Sequence, residues 1–177
     1  GLRSIDSMEL SNLAFILTDR CNFDCAYCYE SKGPRRLDPR TLVRAIELFR
    51  PYFARDCTIS FYGGEPLLAF DLIQQAVAQV RALPARDGSA IRFSLTTNGS
   101  LLNDDILGFL SRHRFSLSLS FDGLAQDVSR KPGSYGFLVS LIPRILADER
   151  ITLEINSVFS AETIGHLSRS VDLLVRL

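Results

Sequence analysis

Four stretches of this chain alternate apolar and polar residues with a period of two, and that alternation restricts the available folds more than any other feature. In Phe115-Ser116-Leu117-Ser118-Leu119-Ser120-Phe121 the two kinds trade places at every step. Ile59 and Phe61 alternate with Thr58, Ser60 and Tyr62. Ile91, Phe93 and Leu95 alternate with Arg92, Ser94 and Thr96, and Leu153 and Ile155 with Thr152, Glu154 and Asn156. Successive side chains of a strand point to opposite faces, so each stretch has one dry face and one wet face. A sheet sandwiched between two helix layers would instead be almost continuously apolar.

Helix-like runs separate the strands. Asp38 and Pro39 read as a cap and first helical residue, followed by the stripe Leu42, Val43, Ile46 and Phe49 up to Pro51. Phe70, Ile73, Val77 and Val80 mark a second helix before Pro84, with 85–90 as a loop. Asn103 caps a third, with Asp104 and Asp105 in its first turn. Val139, Ile142, Ile145 and Leu146 mark another, which Pro143 interrupts or whose start it moves. Leu167, Val171, Leu174 and Val175 mark the last. With Leu13–Leu17 as the first strand, Cys57–Tyr62 as the second and 151–159 as the fifth, the chain holds five strand-helix units. Parallel strands with right-handed crossovers make an α/β protein. One wet face makes it a partial TIM-like barrel with a polar lumen. An antiparallel sheet with one covered face is the competing arrangement, but it needs only short turns between neighbours.

Three thiols, Cys21, Cys25 and Cys28, follow the first strand within eight residues. A disulfide needs two thiols, and a tetrahedral zinc site wants four ligands, whereas the fourth cysteine, Cys57, sits alone in a strand. Structural zinc or disulfide use remains an alternative for so short a pattern. A cuboidal iron–sulfur cluster on three thiolates would keep one iron open. Lys plus Arg and Asp plus Glu number 20 each, so no broad field draws the chain to nucleic acid or an anionic membrane. No apolar run approaches a membrane span, and the start lacks a secretion signal. Clustered thiols then fit metal binding in a reducing cytoplasm.

The strand ends carry further candidates, as expected of α/β barrels. Gly63-Gly64-Glu65-Pro66 follows the second strand. Glycines let a backbone approach closely, and a carboxylate accepts from an ammonium group, although a turn leading into a helix explains the run too. Thr96 and Asn98 share the lumen parity of Ser94 and could bind ribose or carboxylate, while Asn98-Gly99 also reads as a plain turn. Ser120 is a similar candidate, Asp122 a cap of the next loop, and Arg130 either a bidentate carboxylate clamp or a solvated loop residue. Asn156 is a candidate for an adenosine end. Arg92 and Glu154 read as a lumen ion pair or as solvated residues. His113 and His166 lack metal-ligand spacing.

The spacing C-x3-C-x2-C, with Tyr27 before the last cysteine, resembles the radical S-adenosylmethionine enzymes. Gly63-Gly64-Glu65-Pro66 resembles that superfamily's GGE motif. Thr96-Thr97-Asn98-Gly99-Ser100-Leu101-Leu102, Leu119–Gly123, Asp127, Arg130 and Gly133-Ser134-Tyr135 resemble its SPASM-type branch of anaerobic sulfatase-maturating enzymes and peptide maturases. The resemblance implies a [4Fe–4S] cluster on Cys21, Cys25 and Cys28. It also implies S-adenosylmethionine held by Tyr27, Gly63, Gly64, Glu65, Pro66, Thr96, Asn98, Ser120, Arg130 and Asn156. One electron, from a donor such as flavodoxin or ferredoxin, would cleave S-adenosylmethionine to methionine and a 5′-deoxyadenosyl radical, which takes hydrogen from a peptide or protein. Residues 1–177 then correspond to the core domain. A sixth strand and the branch's Cys-rich extension are absent from the sequence, and it lacks a starting Met, so a shortened chain is expected. A noncatalytic iron–sulfur or metal-binding domain of the same fold is the alternative.

Overall fold

The computed structural model describes residues 9–83 and 90–177; the expectations placed on Pro84 and on 85–89 lie outside them. Five strands, β1 (Leu10–Ile16), β2 (Phe53–Tyr62), β3 (Arg92–Thr97), β4 (Ser116–Ser120) and β5 (Thr152–Asn156), form one sheet among the described residues. Every neighbouring pair is parallel, and the spatial order follows the chain order. An order without reversal, with every crossover of the same hand, puts all the crossover helices on one face. That is a barrel wall rather than a doubly wound sheet, so the expected α/β partial barrel is the fold observed.

The helices are α1 (Pro39–Phe49), α2 (Phe70–Ala82), α3 (Asp104–Arg112), the short α4 (Gln126–Ser129), α5 (Ser134–Leu146) and α6 (Leu167–Arg176). Asp38 caps α1, its Oδ1 accepting from the backbone N–H groups of Arg40 (2.8 Å) and Thr41 (3.0 Å). Asn103 caps α3 through Ile106 N–H at 2.9 Å. Both caps were legible, because side-chain oxygens are the usual partners of free N-terminal donors. Pro143 neither stops α5 nor marks its start. The helix begins nine residues earlier, at Ser134, and Pro143 lies on its exposed side in the last turns. The sequence reading missed α4 and the 3₁₀ turn Gly123–Ala125 before it. β2 begins four residues before Cys57, and β5 ends at Asn156 rather than at 159.

Alternation is realised in space. Ile59, Phe61, Phe93, Leu95, Leu117 and Leu119 are wholly buried against the helices. Phe61, Phe93 and Phe115 stack within that layer, the Phe93 and Phe115 rings 5.3 Å apart between centroids. Same-parity residues of neighbouring strands pair in register, so the wet positions align in rows across the sheet. Ser60, Ser94, Ser116 and Thr152 form the lowest row; Thr96, Ser118 and Glu154 the middle one; Ser120 and Asn156 the top. In the lowest row Ser60 Oγ accepts from Asn12 (3.1 Å) and Ser94 (3.2 Å). Arg92 makes its ion pair with Asp56 at the surface, 3.0 Å away, and not with Glu154.

Phe93→Ala opens a cavity in the ring stack and is expected to lower unfolding free energy by about 3–5 kcal/mol. Ser118→Ala, on the wet face, should change it by less than about 0.5 kcal/mol. Urea denaturation of both variants checks the assignment of faces; equal losses would contradict it.

Candidate active site

The three-thiol loop is held by backbone pairing that continues past the sheet. Leu17 N–H donates to Tyr62 O (2.9 Å), Gly64 N–H to Thr18 O (2.9 Å) and Glu65 N–H to Arg20 O (2.8 Å). The two glycines make this possible. A Cβ on Gly63, whose φ is +131°, would stand 2.4 Å from Thr18 O, and one on Gly64 2.5 Å from Arg20 O. Close approach was the property expected of this pair, and the backbone they approach is the segment that leads into Cys21.

Glu65 is wholly buried. Its carboxylate accepts from Leu67 N–H (3.0 Å), Thr97 Oγ1–H (2.7 Å) and Asn98 N–H (2.8 Å). Burial raises its pKa and the three hydrogen bonds pull it back. The side chain thus fastens the end of β3 to the end of β2. Asn98, so positioned, donates from Nδ2 to Asn22 Oδ1 (2.9 Å) beside Cys21 Sγ (3.9 Å), and its own Oδ1 accepts from Ser100. Pro66 is buried and opens the 3₁₀ turn that leads into α2.

A second buried carboxylate, Asp122, closes the other side. It accepts from Tyr27 Oη–H (2.6 Å), Ser129 Oγ–H (2.6 Å), Arg130 (3.0 Å) and Val158 N–H (2.8 Å). Its side chain makes no capping bond to the turn that follows, contrary to the sequence reading. Arg130 is 8% exposed, not solvated. Its guanidinium lies over the Tyr27 ring, 5.4 Å from the centroid, and its Nε–H is buried without a protein partner. Burial, then the bond to Asp122, pushes the Tyr27 phenol far above the ordinary tyrosine range, so it stays a donor. Ala26 N–H donates to Ser129 O (2.8 Å), a further tie between the thiol loop and the end of β4.

These groups enclose a cavity of about 620 Å³ over the wet face of the sheet. Cys21, Cys25, Cys28, Tyr27, Gly63, Gly64, Thr96, Asn98, Ser120, Arg130 and Asn156 all line it. Glu65 and Pro66 stand behind that wall. Sequence reasoning missed Ser129 and Val158, whose bonds to Asp122 span loops, and Glu30, which lines the cavity; Tyr62, placed on the wet face by its parity, lines it too. Among the described residues no three His, Cys, Asp or Glu side chains converge on a point the size of one ion. A single zinc would draw thiolates to roughly 4 Å from one another. Thiols spread around a chamber suit a larger polynuclear group. Burial pushes the Cys21 and Cys25 thiols up, against Arg130 in the case of Cys25; metal ligation favours the thiolate and reverses that balance.

The class that fold and site define is an α/β partial barrel with a three-thiol loop at the carboxyl ends of its strands, above a polar chamber. The chain belongs to the Radical SAM superfamily, whose family model matches residues 15–140. An uncharacterized protein of Methanocaldococcus jannaschii is 29% identical over 97% of this chain and 60% of its own length. A serine-type anaerobic sulfatase-maturating enzyme of Klebsiella aerogenes is 35% identical over 58% of this chain and 27% of its own. A probable GTP 3′,8-cyclase of Halobacterium salinarum is 28% identical over 93% and 47%. The fold matches native anSMEcpe with bound AdoMet and Cp18Cys peptide at a TM-score of 0.81, with 24% identity, over 95% of this chain and 48% of that one. The chain therefore spans between about a quarter and three fifths of the relatives it matches.

Glu65→Ala leaves the Thr97 hydroxyl and the Leu67 and Asn98 amides buried without an acceptor, at about 1–3 kcal/mol each. A fall of several kcal/mol in unfolding free energy, read from a denaturant titration, is expected. A change below about 1 kcal/mol would show that the carboxylate fastens nothing.

Proposed function

We propose that this chain is the core of a radical S-adenosylmethionine enzyme that modifies a peptide or protein, with residues 1–177 forming one domain. Cys21, Cys25 and Cys28 would hold a [4Fe–4S] cluster. With S-adenosylmethionine bound, that cluster supplies reductive cleavage of the sulfonium and the 5′-deoxyadenosyl radical that takes hydrogen from a substrate. The observation that carries the reading is the chamber itself. Three thiols on a loop fastened by backbone pairing line, together with Arg130, a space large enough for a cofactor-sized ligand.

The chain's own residues would do the positioning. Arg130, locked by Asp122 through Nη2, keeps further guanidinium donors for a ligand carboxylate. Gly63 and Gly64 fix the backbone at the thiol loop, where an ammonium group would meet carbonyl oxygens. Glu65 acts from behind on Thr97, next to Thr96, and on Asn98, through the bonds it accepts. Ser120 and Asn156, in register on the top row, offer a hydroxyl and an amide to a ribose or adenine. Tyr27 walls the chamber with its ring and holds its phenolic proton on Asp122.

The charge balance of the cavity supports a peptide over a nucleoside triphosphate. Arg130 is the only Lys or Arg among the described residues lining it, its charge is matched by Asp122, and Glu30 and Glu154 also face the space. Among the described lining residues a triphosphate would meet no cation besides Arg130. Among the described residues no helix is long and apolar enough to cross a membrane. We place the reaction in a reducing cytoplasm, with flavodoxin or ferredoxin as electron donor and no nucleic-acid partner.

Anaerobic reconstitution tests the proposal. About four iron and four sulfide per chain are expected, with 5′-deoxyadenosine released from S-adenosylmethionine under dithionite. Cys25→Ala should lose the cluster, and Cys57→Ala, buried among apolar residues, should keep it. Cluster assembly without 5′-deoxyadenosine would leave a noncatalytic iron–sulfur domain, and equal iron loss in both variants would overturn the ligand assignment.

A further inference from the structure

Below the proposed cofactor positions, the middle row of the lumen face runs Thr96, Ser118, Glu154. Glu154 lies two residues before Asn156 on β5, so its Cα is about 6.6 Å further down the chamber than the top row. The register places it directly beside Ser118. Glu30 apart, carboxylates elsewhere around the chamber are committed. Glu65 and Asp122 are saturated with donors, Asp19 is paired with Arg35 and Asp24 with Lys32. Glu154 lines the same cavity, is exposed, and its side chain has no hydrogen bond or ion pair among the described residues.

Glutamate is depleted within strands, and the residue paired beside it on β4 is a serine. The rest of the lining sharpens the contrast. Apart from Glu30, nearer the thiol loop, the positions below the top row offer hydroxyls only: Ser94, Thr96, Ser116, Ser118 and Tyr62. Negative charge thus sits at one spot of a polar recess.

We propose that Glu154, with the Ser118 hydroxyl beside it, reads a cationic group of the substrate, selecting a peptide that carries Lys or Arg near the residue to be modified. The inference rests on the peptide-modifying reading above and adds the substrate's chemical class. A Lys ammonium there would give its protons to the Glu154 carboxylate and to Ser118 Oγ, one layer beneath the cofactor. A Glu in its place would meet like charge.

The test uses the full chain, loaded anaerobically with iron, sulfide and S-adenosylmethionine. Short Gly/Ser peptides with Lys, Gln or Glu at the central position are titrated into it by calorimetry at low salt. The Lys peptide should bind about three- to ten-fold more tightly than the Glu peptide, the range expected for one partly exposed ion pair set against one repulsion. Glu154→Gln should remove that preference and Glu154→Lys invert it. Iron content and melting temperature of each variant report on folding, and where Glu154→Lys fails to load iron, Glu154→Gln alone decides. Equal affinities in the unmodified protein, or a Lys preference that survives Glu154→Gln, overturn the assignment. Release of 5′-deoxyadenosine is read on the same preparation. A Lys preference without release would remove the radical reading and keep the selectivity; release without a preference would remove Glu154 alone.

Discussion

Registration of the five parallel strands is the constraint on which everything else rests. Ser60 opposes Ser94, Ser94 opposes Ser116, and Thr96 opposes Ser118, which opposes Glu154. A slip of one residue on any strand would send its leucines or phenylalanines into the lumen and its serines under the helices. The stacked Phe61, Phe93 and Phe115 rings oppose such a slip, since burying each aromatic side chain is worth about 1.5–3 kcal/mol. The dry face fixes the register, and the register in turn arranges the wet face into rows.

Rows alone do not make a site, because the groups that would meet a ligand lie on loops past the strand ends. Two buried carboxylates solve that problem from opposite sides. Glu65 joins the end of β2 to the end of β3, and through Asn98 to the residue after Cys21. Asp122 joins the end of β4 to Tyr27 in the thiol loop, to Arg130 and to Val158 after β5. A carboxylate taken out of water is costly unless its oxygens are saturated, and both are. Together they convert four flexible connections into one frame around the thiols.

How much of this could be read beforehand follows from the range of the interactions. Alternation, caps and the thiol spacing are local, and they gave the fold, the faces and the cavity-lining positions from Cys21 to Asn156. Pro143 misled because a proline on the exposed side late in a helix loses one hydrogen bond without clashing against the core. Asp122 was legible as a strand-end acid but not as a hub. Three of its four partners lie 36 residues away or fewer on the chain, yet nothing in the spacing of Ser129, Arg130 and Val158 marks them as converging. Glu65 was read as facing a ligand because its motif sits at the rim. Only the packing of Thr97 and Leu67 shows that the carboxylate turns away from the chamber.

Depth in the chamber separates two kinds of residue. At the top, Asn98 and Arg130 are buried and held by several partners each, so their donors are fixed before any ligand arrives. Fixed donors of this kind suit a ligand whose shape never changes, since no ordering cost is met on binding. At the floor, Asn12, Ser60 and Ser94 satisfy one another and close the space. Between them lie Thr96, Ser118 and Glu154, which meet no such network and whose side chains could be exchanged without disturbing the frame. The frame can therefore stay constant around one cofactor while the middle layer sets what may enter beneath it.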